Sequence, residues 1–128
     1  MIRPSLILIA LFSLIYGLIF LLTPNFFIEL SQAEHINVAW LRNIGASISG
    51  VLFLGLLLVY FNPSKNYDLF LIITITSILQ TLGLIFSRLY NEFSAKKMII
   101  IDLTIYSAII VSLYLVYILL NYTSIFKK

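Results

Sequence analysis

Residues 103–126 read LTIYSAIIVSLYLVYILLNYTSIF, a run of 24 positions without a charged side chain. At 1.5 Å per residue, a helix of that length reaches about 36 Å, enough to cross the roughly 30 Å hydrocarbon core of a bilayer. Working back towards the N-terminus, three more such runs occupy residues 69–87, 43–64 and 4–28, with lengths of 19, 22 and 25. The four runs together hold 90 of the 128 residues. With 62% of the chain hydrophobic and only 10% charged, the composition is far from that of a water-soluble domain, where about a quarter of the residues carry charge. The expected fold is all-α, an antiparallel bundle of four transmembrane helices. It forms a single domain over residues 1–128, with spans at about 5–22, 39–61, 69–87 and 98–120.

The breaks between spans are written in turn-forming residues. Thr23-Pro24 stops the first span, because proline removes a helical donor and clashes with the preceding turn. Residues 25–30 are too short to cross and suit a short helix lying in the interface. Asn37 and Ser94 are candidate caps for spans 2 and 4, and Trp40 sits where an interfacial aromatic belongs. Asn62-Pro63-Ser64 makes a short connection, so spans 2 and 3 should form a hairpin. Arg3 followed by an apolar stretch has the look of a signal peptide, but no small-x-small cleavage pattern follows, and the reading is an uncleaved span.

Composition also narrows the chemistry. About 38 residues outside the apolar runs leave no room for a soluble catalytic domain. The absence of cysteine removes thiol redox chemistry, iron–sulfur ligation and thiolate zinc sites. One histidine, His35, cannot supply paired haem ligation, and beside Glu34 it reads as an exposed loop residue. The net charge of +3 comes without a contiguous basic face, so nucleic acid is not an expected partner. No cofactor is expected. A membrane enzyme finds little support, because no nucleophile, metal cluster or cofactor motif accompanies Asp102, Tyr106 or His35.

The polar residues inside the spans carry what functional signal there is. Gly45/Ser49 and Ala46/Gly50 are small-xxx-small pairs that let a neighbouring helix approach closely, with Ser13/Gly17 the expected counterpart. The same stretch also fits a groove that admits a lipid tail. Thr74, Ser77, Thr81 and Arg88 share one helical face, flanked by Gln80 and Ser87; Asp102, Tyr106, Leu113 and Tyr117 share another. Asp102 is expected to face the bundle and find a partner, since a carboxylate in a span is costly. Arg42, Asn43, Arg88, Glu92 and Asp102 then gather at the end away from the termini. Two readings stay open for that end: a charge network fixing helix register, or a polar pocket. The candidate ligand-binding residues for the pocket are Arg42, Asn43, Arg88, Asp102, Tyr106 and Gln80.

Several short motifs carry a resemblance: Thr23-Pro24, Leu41-Arg42-Asn43-Ile44-Gly45-Ala46, Gly50, and Gly83-Leu84-Ile85-Phe86-Ser87-Arg88. Through them nearly the whole chain resembles small integral membrane domains of the DoxX-like kind, closest to a related four-helix bacterial family of unknown function. The resemblance implies a bacterial plasma-membrane protein. Through relatives labelled DoxX, it also implies an accessory subunit of a quinone-linked oxidoreductase.

The leading expectation is a small multi-pass membrane protein of unassigned activity. It binds a lipid-like or small anionic ligand, or serves as an accessory subunit of a membrane complex. The alternative is a transporter or channel subunit acting as a homodimer or larger assembly, with Thr74, Ser77 and Thr81 offering hydroxyls to a solute. Lysine and arginine number four on each side, and four of the five acids lie away from the termini. If Arg42 and Arg88 are paired with those acids, the unpaired positive charge lies with the termini, and both termini are expected in the cytoplasm.

Overall fold

The computed structural model describes residues 2–34 and 38–126. The described residues are helical or in turns, with no strand. Helix α1 spans Ile2–Leu22, α2 Pro24–Ser31, α3 Val38–Phe61, α4 Tyr67–Leu89 and α5 Met98–Asn121. All but α2 are long and apolar enough to cross a membrane. Their bounds extend the expected spans by up to three residues at either end. His35, Asn37, Lys127 and Lys128 lie outside the described residues.

The helix ends follow local chemistry. Pro24 begins α2, where a missing N–H leaves no helical bond unmade. Gln32 closes α2 in the left-handed region (φ 52°), and the Ala33 N–H reaches back 3.0 Å to the Ile28 carbonyl. The Asn66 amide donates to the Leu58 and Asn62 carbonyls (3.1 and 2.8 Å), satisfying the end of α3 where α4 begins. Asp68 opens α4 and Arg88 closes it, each matching the sign of the helix dipole at its end.

Ser94 does not cap α5, which starts without a side-chain cap. Its hydroxyl instead accepts the Glu34 N–H at 3.4 Å. The Lys96 and Lys97 N–H groups donate to the Gln32 and Ser31 carbonyls at 3.2 and 3.0 Å. The two connections on the side away from the termini are thus stitched together.

Inside, the helices associate as two pairs. Helix α1 packs along α3, and α4 along α5. The first pair meets backbone to backbone: a Cβ on Gly45 would stand 2.5 Å from the Leu21 nitrogen and 2.7 Å from the Gly17 carbonyl oxygen. Gly17 in turn receives the Ser49 side chain. Of the two expected small-residue pairs, only Gly45/Ser49 makes this contact. Ala46 and Gly50 are exposed on the outer surface, and a Cβ on Gly50 would meet nothing within 4 Å. One position along a helix is about 100°, so the two pairs cannot face one neighbour together.

The second pair is held by hydroxyls. Ser112 Oγ lies 2.7 Å from Ser77 Oγ and 2.8 Å from Thr81 Oγ1, while Thr81 also lies 3.2 Å from the Ala108 carbonyl. Thr74 turns back onto the Phe70 carbonyl at 2.8 Å. The polar face of α4 is therefore spent on helix contact.

The pairs converge at the end holding the termini. Leu6 and Ala10 of α1, Leu56 and Val59 of α3, Phe70 and Ile73 of α4, and Leu115 and Ile118 of α5 bury one another there. Phe126 stacks on Phe70 (5.1 Å), and the Tyr114 hydroxyl donates to Ser5 Oγ at 2.7 Å. Halfway along α3, Ile48–Leu54 widens into a π-helical turn, a feature the sequence pattern did not announce.

Candidate functional site

Away from that shared core the two pairs enclose a cleft of about 450 Å³, lined by all four long helices. One wall is an aromatic ladder. Phe12, Tyr16 and Phe20 follow each other along α1 at centroid distances of 5.0 and 5.8 Å, and Phe27 of α2 continues the series at 4.7 Å. The opposite wall is the face of α4 bearing Gln80, Gly83, Leu84 and Ser87, spaced as neighbours on a helical surface. Leu41, Ile44 and Ile48 of α3 and Thr104, Ser107 and Ala108 of α5 complete the sides. Phe27 and Phe93 belong to the stitched connections and line the end away from the termini.

Among the lining residues, Phe12, Ile44 and Gly83 are exposed. The cleft consequently opens at the side of the bundle, within the length of the apolar helices. It is closed below by the core around Leu56 and Phe70.

The lining contains no charged side chain. Its polar groups are hydroxyls and one amide. Ser77 and Thr81 are engaged with Ser112, Thr104 donates to the Ile100 carbonyl (3.0 Å) and Ser107 to the Thr104 carbonyl (2.8 Å). Gln80 and Ser87 on α4, and Ser13 and Tyr16 on α1, have no side-chain hydrogen-bond partner among the described residues.

The six expected site residues do not form one group. Gln80 lines the cleft. Arg88 and Asp102 pair with each other, Nε to Oδ1 at 2.7 Å, with side chains 38% and 28% exposed, beside the cleft and not in it. Arg42 turns away and donates to the Leu21 carbonyl at 2.6 Å, satisfying the end of α1. Asn43 is exposed, and its carbonyl accepts from Ser47. Tyr106 is 62% exposed on the outer surface.

Tyr106, Leu113 and Tyr117 thus turn outward, while Asp102 at the start of that face is half-buried against Arg88. The buried face of α5 is Ile101, Ile105, Ser112, Leu115 and Ile118, one position away in register. Asp102 still obtains its partner, because Arg88 reaches it along the bundle surface. No metal-binding grouping of three His, Cys, Asp or Glu side chains exists among the described residues.

Tyr16, Phe27, Ser87, Phe93, Thr104 and Ser107 line the cleft without having been expected there. The signal for part of it was present: Gln80, Gly83, Leu84 and Ser87 recur at three, four and seven positions. Nothing in the sequence brought the α1 ladder opposite them.

No protein-family model matches this chain, and comparisons with curated proteins and with solved structures give no significant match.

Proposed function

We propose that this four-helix protein holds a lipid-like molecule in the cleft between its two helix pairs, within the membrane. The observation that carries the reading is the cleft itself: its size falls in the range of about 300–1,000 Å³ typical of small-molecule sites. It opens sideways at Phe12, Ile44 and Gly83, which suits a ligand arriving from the bilayer better than one arriving from water. The oligomeric transporter reading loses its main support, since Ser77 and Thr81 are engaged with Ser112 and Thr74 with its own helix.

The DoxX-like resemblance of the sequence fits a bacterial plasma-membrane protein that carries such a molecule for a larger complex. Orientation follows the same reading. With Arg88 paired to Asp102, the remaining lysines and arginines of the sequence number four on the side of the termini and three on the other, which favours termini in the cytoplasm. A C-terminal fusion to a reporter active only outside the cytoplasm should be silent; activity reverses the assignment.

The direct test is native mass spectrometry of the full chain extracted in mild detergent. The wild type should carry a bound lipid-like mass. Gly83→Phe should lose it, because a side chain there has open space to enter and stands at the mouth. A wild type as empty as Gly83→Phe defeats the proposal.

A further inference from the structure

The cleft combines three properties that together describe the head of its ligand. It is apolar over most of its wall, yet Gln80 stands near the middle of the 23-residue helix α4, at a depth where hydrocarbon offers its amide nothing to bond. Neither Gln80 nor Ser87, two turns further along the same face, finds a hydrogen-bond partner among the described residues. The nearby charges are committed elsewhere: Arg88 to Asp102, and Arg42 to the end of α1.

An anionic head inside the cleft meets no cation, and a cationic head meets no carboxylate. Either would enter a medium of low dielectric constant without a counter-charge, which disfavours it strongly. A purely hydrocarbon occupant fits the walls but leaves the Gln80 amide unsatisfied. The remaining chemistry is a neutral head with an oxygen able to bond an amide, joined to an apolar tail.

Resting on the proposed lipid-binding role, we infer that the cleft selects an uncharged lipid whose hydroxyl or carbonyl head hydrogen-bonds to the Gln80 amide. The tail passes Ile44 and Gly83 into the bilayer, the flank where the lining is exposed. Ser87 gives the head a second hydrogen-bonding group on the same wall. The aromatic ladder of Phe12, Tyr16 and Phe20 supplies the facing surface.

The test uses the full chain in detergent, freed of endogenous lipid, with three probes sharing one tail: hexadecanol, hexadecane and hexadecyl sulfate. Retention is read by native mass spectrometry. Hexadecanol should be held about tenfold better than either other probe, the scale of one hydrogen bond made in place of none. Gln80→Leu should lose most of the preference for hexadecanol over hexadecane, because the apolar walls remain and the amide is gone, with only hydroxyls such as that of Ser87 left to meet the head. Best retention of hexadecyl sulfate overturns the uncharged-head inference while leaving the cleft as a lipid site. Equal retention of hexadecanol and hexadecane by the wild type overturns the role of Gln80 in the same way. Failure of every probe to bind above the level of Gly83→Phe removes the binding reading itself.

Discussion

The two ends of this bundle are made from the same four helices and treat them in opposite ways. At the end holding the termini, Leu6, Leu56, Phe70, Ile73, Leu115 and Ile118 pack the pairs against each other. At the other end the pairs part, and aromatic rings, small residues and hydroxyls face an unfilled space. Hydrophobicity does not separate the ends, since lipid is as apolar as leucine and drives no helix together. Shape and hydrogen bonding do. Branched and aromatic side chains interlock at the closed end, whereas Gly83, Ser87, Thr104, Ser107 and Ala108 are too small to fill the open one.

The strongest way to break that contrast is at its densest point. Phe70 is fully buried and carries the stacked Phe126 ring. Phe70→Ala should cost about 3 kcal/mol or more, from lost dispersion contacts and the cavity left behind. Leu84→Ala enlarges a space that already exists and should cost under about 1 kcal/mol, because few partner atoms are lost. Unfolding of both variants by SDS titration checks the pair; equal losses would show that the cleft is as tightly packed as the core.

A smaller effect distinguishes the two faces of α3. Gly45 lies against the α1 backbone, and any side chain there must push the helices apart. Gly45→Leu should cost about 1–3 kcal/mol by overpacking, while Gly50→Leu, facing open space, should change stability little. If Gly50→Leu instead dissociates an oligomer seen for the wild type in lipid, the exposed face of α3 is an interface.

These variants also mark where the sequence could be read and where it could not. The four spans were legible because charge-free runs of that length have one good solution in a bilayer, and Pro24 and Pro63 end helices by their own covalent structure. The Gly45/Ser49 contact was legible as a spacing, but so was Ala46/Gly50, and spacing alone does not say which side of a helix has a neighbour. The candidate site depended on that missing rotation. Arg42, Asn43, Arg88 and Asp102 lie towards the same end of the bundle, with Tyr106 one turn further in, and position along each helix was readable. Their directions around each helix axis were not, and the structure sends them to α1, to each other, or outward. Gln80 drew notice only as a flank of the hydroxyl face, although its spacing to Gly83, Leu84 and Ser87 describes the cleft wall directly.

Hydroxyls within the bundle extend the contrast to polar groups. Ser112 sits between Ser77 and Thr81 and links α4 to α5 where the cleft begins. Ser112→Ala should cost about 1 kcal/mol, the usual scale of a hydrogen bond between membrane helices. Double-mutant cycles with Ser77→Ala read the coupling, and additive losses would mean the hydroxyls act separately.

Gln80 is the opposite case, a polar group the fold does not satisfy. Its amide is kept in an apolar span at a net penalty, so removing it should help the empty protein. Gln80→Leu should raise the stability of lipid-free chain by roughly 0.5 kcal/mol while weakening its hold on an uncharged lipid. Arg88→Leu should do the reverse: it leaves Asp102 without its partner and lowers stability, yet alters no residue of the cleft wall and leaves lipid retention unchanged. The two variants therefore separate a group retained for binding from a group retained for structure. A Gln80→Leu protein less stable than the wild type when lipid-free would mean the amide bonds to water or backbone in the empty cleft, and the cleft would then be a wet cavity closed to lipid tails.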